Sequence, residues 1–354
     1  TKRTSQLAPL TEFFSKKLFH QKTTMNAIQR RAVLKDGLGL AATSGVAGPA
    51  ACAQTAWPDK PIKFVLSQPA GAGPDIVARL IGDRLSRALG QAVVIENKPG
   101  GQNVIGAQFA ARSAADGYTF YFATTAALVT NSFLFKTMPY DPQKDFVPVG
   151  FVARSPFAVL VKAESPIQSI QDLLDRSKAK PGTSSVGTEG PRTFGGIIAR
   201  LLNARTQAGF NLASYASVGV AVQDAIGGHV DAALVDVAAT AQLVRQGRLR
   251  MLAVTTGKRV PGWEQIPSLS ELLPGFDMSG WFALVAPTGT PQPILEHMNR
   301  EFNAALADPE VTTKITAMGP IVEAGLSLEQ VGAFLKDEYQ RWSQVSKEIG
   351  LLPE

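Results

Sequence analysis

Apolar residues recur along this chain in two alternating rhythms: short unbroken runs of strand length, and stretches at three- and four-residue spacing. Pro61 to Leu66 is the first run, and beyond a Pro/Gly loop Ile76, Val77, Leu80, Ile81, Leu85 and Leu89 repeat at helical spacing. Gly73-Pro74 opens that helix, because proline at the first helical position forfeits no hydrogen bond. Arg84 and Arg87 sit in its last turns and Gly90 ends it. A strand over 92–96, a turn at 97–101, a helix from Asn103 to Ala114 and a strand from Tyr118 to Ala123 follow, the last running into the small polar stretch Thr124-Thr125-Ala126-Ala127. Residues 145–162, DFVPVGFVARSPFAVLVK, read as one long extended segment interrupted by Pro148 and Pro156.

The second half repeats the plan. A helix over Ile170 to Ala179 ends at Lys180-Pro181-Gly182, and a strand and glycine-rich loop from Ser184 to Thr193 lead into a helix from Phe194 to Ala204. A helix over 218–226, a buried strand over 230–235, a helix over 240–245 and a strand over 250–255 come next. The Pro/Gly-spaced region 260–275 reads as a path back, before a strand over 281–287, a helix over 293–306 and a long closing helix over 328–349. This alternation predicts α/β layers with mostly parallel sheets. The chain reads as two α/β lobes crossed twice, one lobe from residues 54–153 and 279–354 and the other from 154–278, with a ligand crevice between them.

A helix that starts straight after a glycine loop leaves free backbone N–H groups and the positive end of its dipole aimed at one spot, which suits an anion. Most such starts hold only water or their own cap, so the feature alone is weak. Asp75 in the first turn favours the helix in either case and could itself occupy the anion position. The loop before Phe194 is a second turn of the same kind.

Net charge changes the picture only after it is located. The chain carries +6, but residues 1–53 hold eight basic and two acidic side chains, and the remainder holds 27 of each. A neutral body argues against nucleic acid as partner. The basic excess belongs to an export signal over residues 25–53: Gln29-Arg30-Arg31-Ala32-Val33-Leu34-Lys35 is close to the twin-arginine pattern, with an ordinary Sec leader as the alternative, and a weakly apolar run follows to Ala51. Ala51-Cys52-Ala53 offers a cleavage site that leaves Gln54 first, and residues 1–24 read as upstream translation. Cys52, the one cysteine, lies inside this leader behind a poor lipobox. The mature chain then has no thiol and only His229 and His297, which disfavours disulfides, thiolate metal sites and a zinc centre. No cofactor or metal is expected.

In order along the chain, Trp57-Pro58-Asp59-Lys60-Pro61-Ile62, Gly73-Pro74-Asp75-Ile76-Val77-Ala78-Arg79, Glu96-Asn97-Lys98-Pro99-Gly100, Asp116-Gly117-Tyr118-Thr119, Tyr140-Asp141-Pro142-Gln143-Lys144-Asp145-Phe146, Gly227-Gly228-His229-Val230-Asp231, the run 247–255 and Ala286-Pro287-Thr288-Gly289-Thr290-Pro291 together resemble the tripartite tricarboxylate transporter substrate-binding family, the Bug-type receptors. The resemblance implies a type II periplasmic binding protein, monomeric, that closes on a small organic acid and hands it to membrane permease subunits. It implies that the first loop, with Pro69, Ala70, Gly71, Ala72 and Gly73, holds one carboxylate through its free backbone N–H groups and ordered water, and that Asp75 belongs to the same ligand site. It also implies that Thr125 and Ala126, the second loop with Ser185, Thr188, Glu189, Arg192 and Thr193, then Ser217 in the run Tyr215 to Gly219, and Asp236 line the same cleft.

Departures from the family pattern bear on the ligand. Ala72 stands where a second glycine is usual, Glu189 where glycine is common and Thr193 where histidine is common. Arg192 is the side chain suited to grip a second carboxylate, or alternatively to pair with Glu189. Asp236 suits an amine or hydroxyl, or a turn cap. The reading is a periplasmic receptor for a dicarboxylate or aromatic acid. Its rivals are a receptor that presents its ligand to a membrane kinase and an enzyme on the same fold. Against the enzyme stand the absence of G-x-S-x-G, P-loop and H-E-x-x-H motifs.

Overall fold

The computed structural model describes residues 57–354; the export signal, Cys52 and residues 1–24 lie outside the described residues. Strands are β1 (Ile62–Leu66), β2 (Val93–Asn97), β3 (Thr119–Thr124), β4 (Phe146–Lys162), β5 (Ser185–Thr188), β6 (Asn211–Ser214), β7 (Ala232–Asp236), β8 (Leu249–Val254), β9 (Ser279–Pro287) and β10 (Ile321–Val322). Helices are α1 (Gly73–Leu89), α2 (Val104–Ala111), α3 (Asn131–Leu134), α4 (Ile170–Ala179), α5 (Phe194–Thr206), α6 (Val218–Gly227), α7 (Val237–Arg245), α8 (Gln292–Ala307), α9 (Pro309–Ala317) and α10 (Leu328–Glu348).

β1 pairs in parallel with β2 and β3, and its Ile62, Phe64, Val65 and Leu66 are fully buried. That explains a run without alternation: helices cover both faces of such a sheet, so every position seeks the core. α1 covers one face with Val77, Ala78, Ile81 and Leu85, and Gly90 closes it in the left-handed region at φ 66°. Ile76, expected on that face, is 40% exposed instead, because the stripe turns through Ala78 and Gly82. β5 repeats the arrangement between β6 and β7, both parallel to it.

The long apolar segment forms β4, whose two parts serve different neighbours. From Phe146 to Pro156 it runs antiparallel to β9, and from Phe157 onward antiparallel to β7 and β8. β9 carries the chain back beside it, so the two crossings lie side by side at Pro156 and Ser279. These connecting strands also correct the expectation of mostly parallel sheets: five of the nine strand pairings among the described residues are antiparallel, all of them involving β4 or β9. α10 lies against this junction. Phe334 packs on Phe151 and Trp281 at 4.7 and 5.3 Å, while Trp342 reaches Phe194 of α5 at 5.2 Å. Buried aromatics of this size dominate local packing.

Four elements have no counterpart in the periodicity: the π turn Ala126–Thr130 that continues into α3, the short β6, and α9 and β10.

Candidate functional site

A cleft of about 470 Å³ opens where the carboxyl ends of β1, β3, β5 and β7 meet the two crossings. One wall is Gln68, Gly73, Pro74, Thr124, Thr125 and Ala126; the facing wall is Glu189, Phe194, Val218, Asp236 and Ala238; Phe157 and Trp281 lie between. Parallel α/β units end their strands and start their helices on the same side, so several helix N-termini converge here. α5, α6 and α7 are capped by their own side chains: Thr193 accepts from the Gly196 N–H, Ser217 from Val220 and Asp236 from Ala239.

α1 differs. Its N-cap is Ala72, which offers no side-chain acceptor, and Pro74 at its start has no N–H. Asp75 does not fill the position. Its carboxylate is 2% exposed and bonded to the Gly71 N–H at 2.8 Å, to Arg79 at 2.9 Å through both oxygens and to the Asn97 amide at 2.8 Å. Burial pushes its pKa up, but the bonds from Arg79, Gly71 and Asn97 outweigh that and hold it below the usual carboxylate value. Gly71, at φ 82°, lets the loop fold back onto this carboxylate.

Of the residues expected from the sequence, the structure brings Gly73, Thr125, Ala126, Glu189 and Asp236 to the cleft. Thr125 is buried and accepts from the Trp281 N–H at 2.8 Å, so it fixes the cleft floor. Pro69, Ala70 and Gly71 are exposed, Ala72 is half-buried and Asp75 is buried, and none of the five lies in the cleft lining. Ser185 lies at the opposite end of β5, tied to Asp231 at 2.8 and 2.9 Å. Thr188 is buried and accepts from the Gly190 N–H at 3.3 Å, and Thr193 and Ser217 act as caps off the lining.

Arg192 is the main correction. Its guanidinium bonds the Leu134 carbonyl, the Leu352 carbonyl at 3.1 Å and the Glu354 carboxylate at 3.1 Å. The Leu352 carbonyl and Glu354 carboxylate, with the Leu134 carbonyl at the end of α3, engage the guanidinium, which neither lines the cleft nor pairs with Glu189. No Lys, Arg or His lines the cleft among the described residues.

Glu189 and Asp236 are half-buried on the facing wall. Burial raises the pKa of both, and the Asp236 charge raises Glu189 further. Asp236 is also the α7 cap, as one of the two sequence readings has it, and its side chain lines the cleft as well. Trp281, Phe194 and Gln68 were not singled out from the sequence. Phe194 follows directly from the second loop and Gln68 precedes the first, so proximity to the loops was an available signal, whereas Trp281 enters only through the return crossing.

The family described as TctC, Tripartite tricarboxylate transporter family receptor, matches residues 77–351. The chain is 33% identical to the protein BugT of Bordetella pertussis over 313 residues, 87% of this chain and 94% of that one. A structure of R. palustris Rpa4515 with adipate superposes with a TM-score of 0.74 at 32% identity, covering 84% of this chain and all of that one. The periplasmic binding protein BugD superposes with a TM-score of 0.71 at 27% identity, over 84% of this chain and all of BugD.

Proposed function

The chain belongs to the tripartite tricarboxylate transporter family of receptors and has their two-lobed α/β solute-binding fold, and from that premise we propose that it captures a small organic acid in this cleft and delivers it to membrane permease subunits. One carboxylate sits at the start of α1. The observation that carries this is that α1 opens on the cleft without a side-chain cap, while the carboxylate of its own first turn, Asp75, is engaged by Gly71, Arg79 and Asn97. The dipole end and the first-turn N–H groups are therefore open to a ligand anion. The solved relative with adipate supports a carboxylate ligand.

The receptor works by differential affinity between open and closed arrangements of its lobes, residues 54–153 with 279–354 and residues 154–278, and no bond is made or broken. Residues 25–53 direct it to the periplasm. No helix among the described residues is long and apolar enough to cross a membrane.

A thermal-shift screen against mono-, di- and tricarboxylates tests the reading. Ligand at about 100 times Kd should add ~2.7 kcal/mol of stability. A melt that responds to none of these acids but does respond to a neutral or cationic solute would refute it.

A further inference from the structure

We propose that the organic acid this receptor selects is a zwitterion, with its carboxylate at the start of α1 and a protonated nitrogen received by Glu189 and Asp236, so that dicarboxylates are discriminated against. The inference rests on the organic-acid reading and adds the chemistry of the ligand's other end.

The two walls of the cleft are electrostatically opposite. The α1 wall offers a helix N-terminus and no ionised side chain of its own, since Asp75 faces Arg79 and Asn97. The facing wall offers two carboxylates in a cleft where no cationic side chain lines the walls among the described residues. Cations close to this region are engaged: Arg192 by the tail, Arg154 by Glu323 at 2.6 Å and Arg341 by Glu338. Glu189 has no hydrogen-bond partner among the described residues, unlike Asp236, which holds the Ala239 N–H at 2.8 Å through Oδ1. A ligand with a second carboxylate would set like charges together in a partly dehydrated space. An ammonium group would relieve the repulsion between Glu189 and Asp236 and supply the donors that their oxygens lack.

Gln68 Oε1 and Thr124 Oγ1, on two residues that line the cleft, are buried without a partner among the described residues. These atoms border the α1 wall, where a bound carboxylate and its water would reach the Thr124 hydroxyl. The lining thus has unmet hydrogen-bonding groups at both ends, with Phe157, Phe194 and Trp281 along the span. That pattern fits a short apolar chain or ring joining the two charged ends.

The test is calorimetric titration of the protein with straight-chain ω-amino acids, the diacids of equal length and the plain monoacids. The amino acids should bind tightest, with matched diacids weaker by roughly 100-fold. Glu189→Gln should narrow that ratio by about tenfold or more, weakening the amino acid and strengthening the diacid. Asp236→Asn, which keeps a capping side chain, should act in the same direction. Diacids or monoacids that bind as tightly as the amino acids, with a ratio that Glu189→Gln leaves unchanged, would overturn the proposal and leave the organic-acid reading standing. If none of the three series binds, this proposal falls, and the thermal-shift screen of mono-, di- and tricarboxylates decides the organic-acid reading separately.

Discussion

Three carboxyl groups near the cleft respond to their surroundings in opposite ways. Asp75 is stabilised as an anion by Arg79, Gly71 and Asn97, so its contribution to stability is fully present above its ordinary pKa and is lost as pH falls through the depressed folded value. Asp75→Ala would take this acceptor from Gly71, Arg79 and Asn97, and we expect a loss of about 2 kcal/mol in urea unfolding at neutral pH together with weaker binding of the acid. Glu189 and Asp236 behave in the reverse sense. Burial raises them, so the ligand-free protein should lose stability as pH rises from the ordinary carboxylate range through the raised folded values. Glu189→Gln should therefore melt higher than the parent protein at pH 7 and no higher at pH 4; equal differences at both pH values would contradict the burial argument. Asp75 was legible in the sequence as a first-turn acid, but its bond to Asn97, 22 residues later and at the end of β2, comes only from β1 and β2 pairing in register. Arg192 was misread for a related reason: its partners at Leu134, Leu352 and Glu354 are brought to it by the tertiary fold.

Helix starts carry different duties according to where they point. α4 begins with a complete capping box, Ser169 accepting from Asp172 N–H and the Asp172 carboxylate accepting from Ser169 N–H, both at 3.0 Å and well outside the cleft lining. Ser169→Ala should cost about 1 kcal/mol and leave ligand affinity unchanged, whereas Asp236→Ala removes an equivalent cap on α7 and should change both stability and affinity. Paired thermal melts and titrations separate the two effects. The second glycine loop is tied to its helix even more tightly, since a Cβ at Gly196 would lie 1.8 Å from the Gly190 carbonyl oxygen. Elements with clear periodicity, such as α4 and α8, could be read closely from the sequence. The π turn after β3 and the short β6 could not, because few residues at small or polar positions leave no repeating pattern to detect.

At the scale of the molecule, the decisive feature is that both chain crossings pass one point. Pro156 lies opposite Ser279, and Thr255, fully buried at the end of β8, ties the two strands together. Its N–H donates to the Phe157 carbonyl at 2.9 Å and its carbonyl accepts from Met278 N–H at 2.8 Å. Its hydroxyl accepts from the Phe157 N–H at 3.3 Å and donates to the Met278 carbonyl at 2.5 Å. The extended run through Pro148 and Pro156 marked the first crossing in the sequence, but nothing there marked a threonine about 100 residues later as its clasp, because that pairing exists only once β8 lies beside β4. On the proposed reading, in which two lobes close on a ligand by rotating about the segments that join them, this clasp would sit at the pivot. Thr255→Val keeps the shape, removes the hydroxyl and leaves the Met278 carbonyl with one bond fewer in a buried site. We expect a stability loss of roughly 1–3 kcal/mol. Amide hydrogen exchange should quicken at Phe157 and Met278 ahead of the sheet interiors, because the lost bond is local to the junction. Exchange that quickens uniformly, or only in β5 to β7, would place the pivot elsewhere; protection of the same two amides on adding a bound acid would tie ligand capture to this junction.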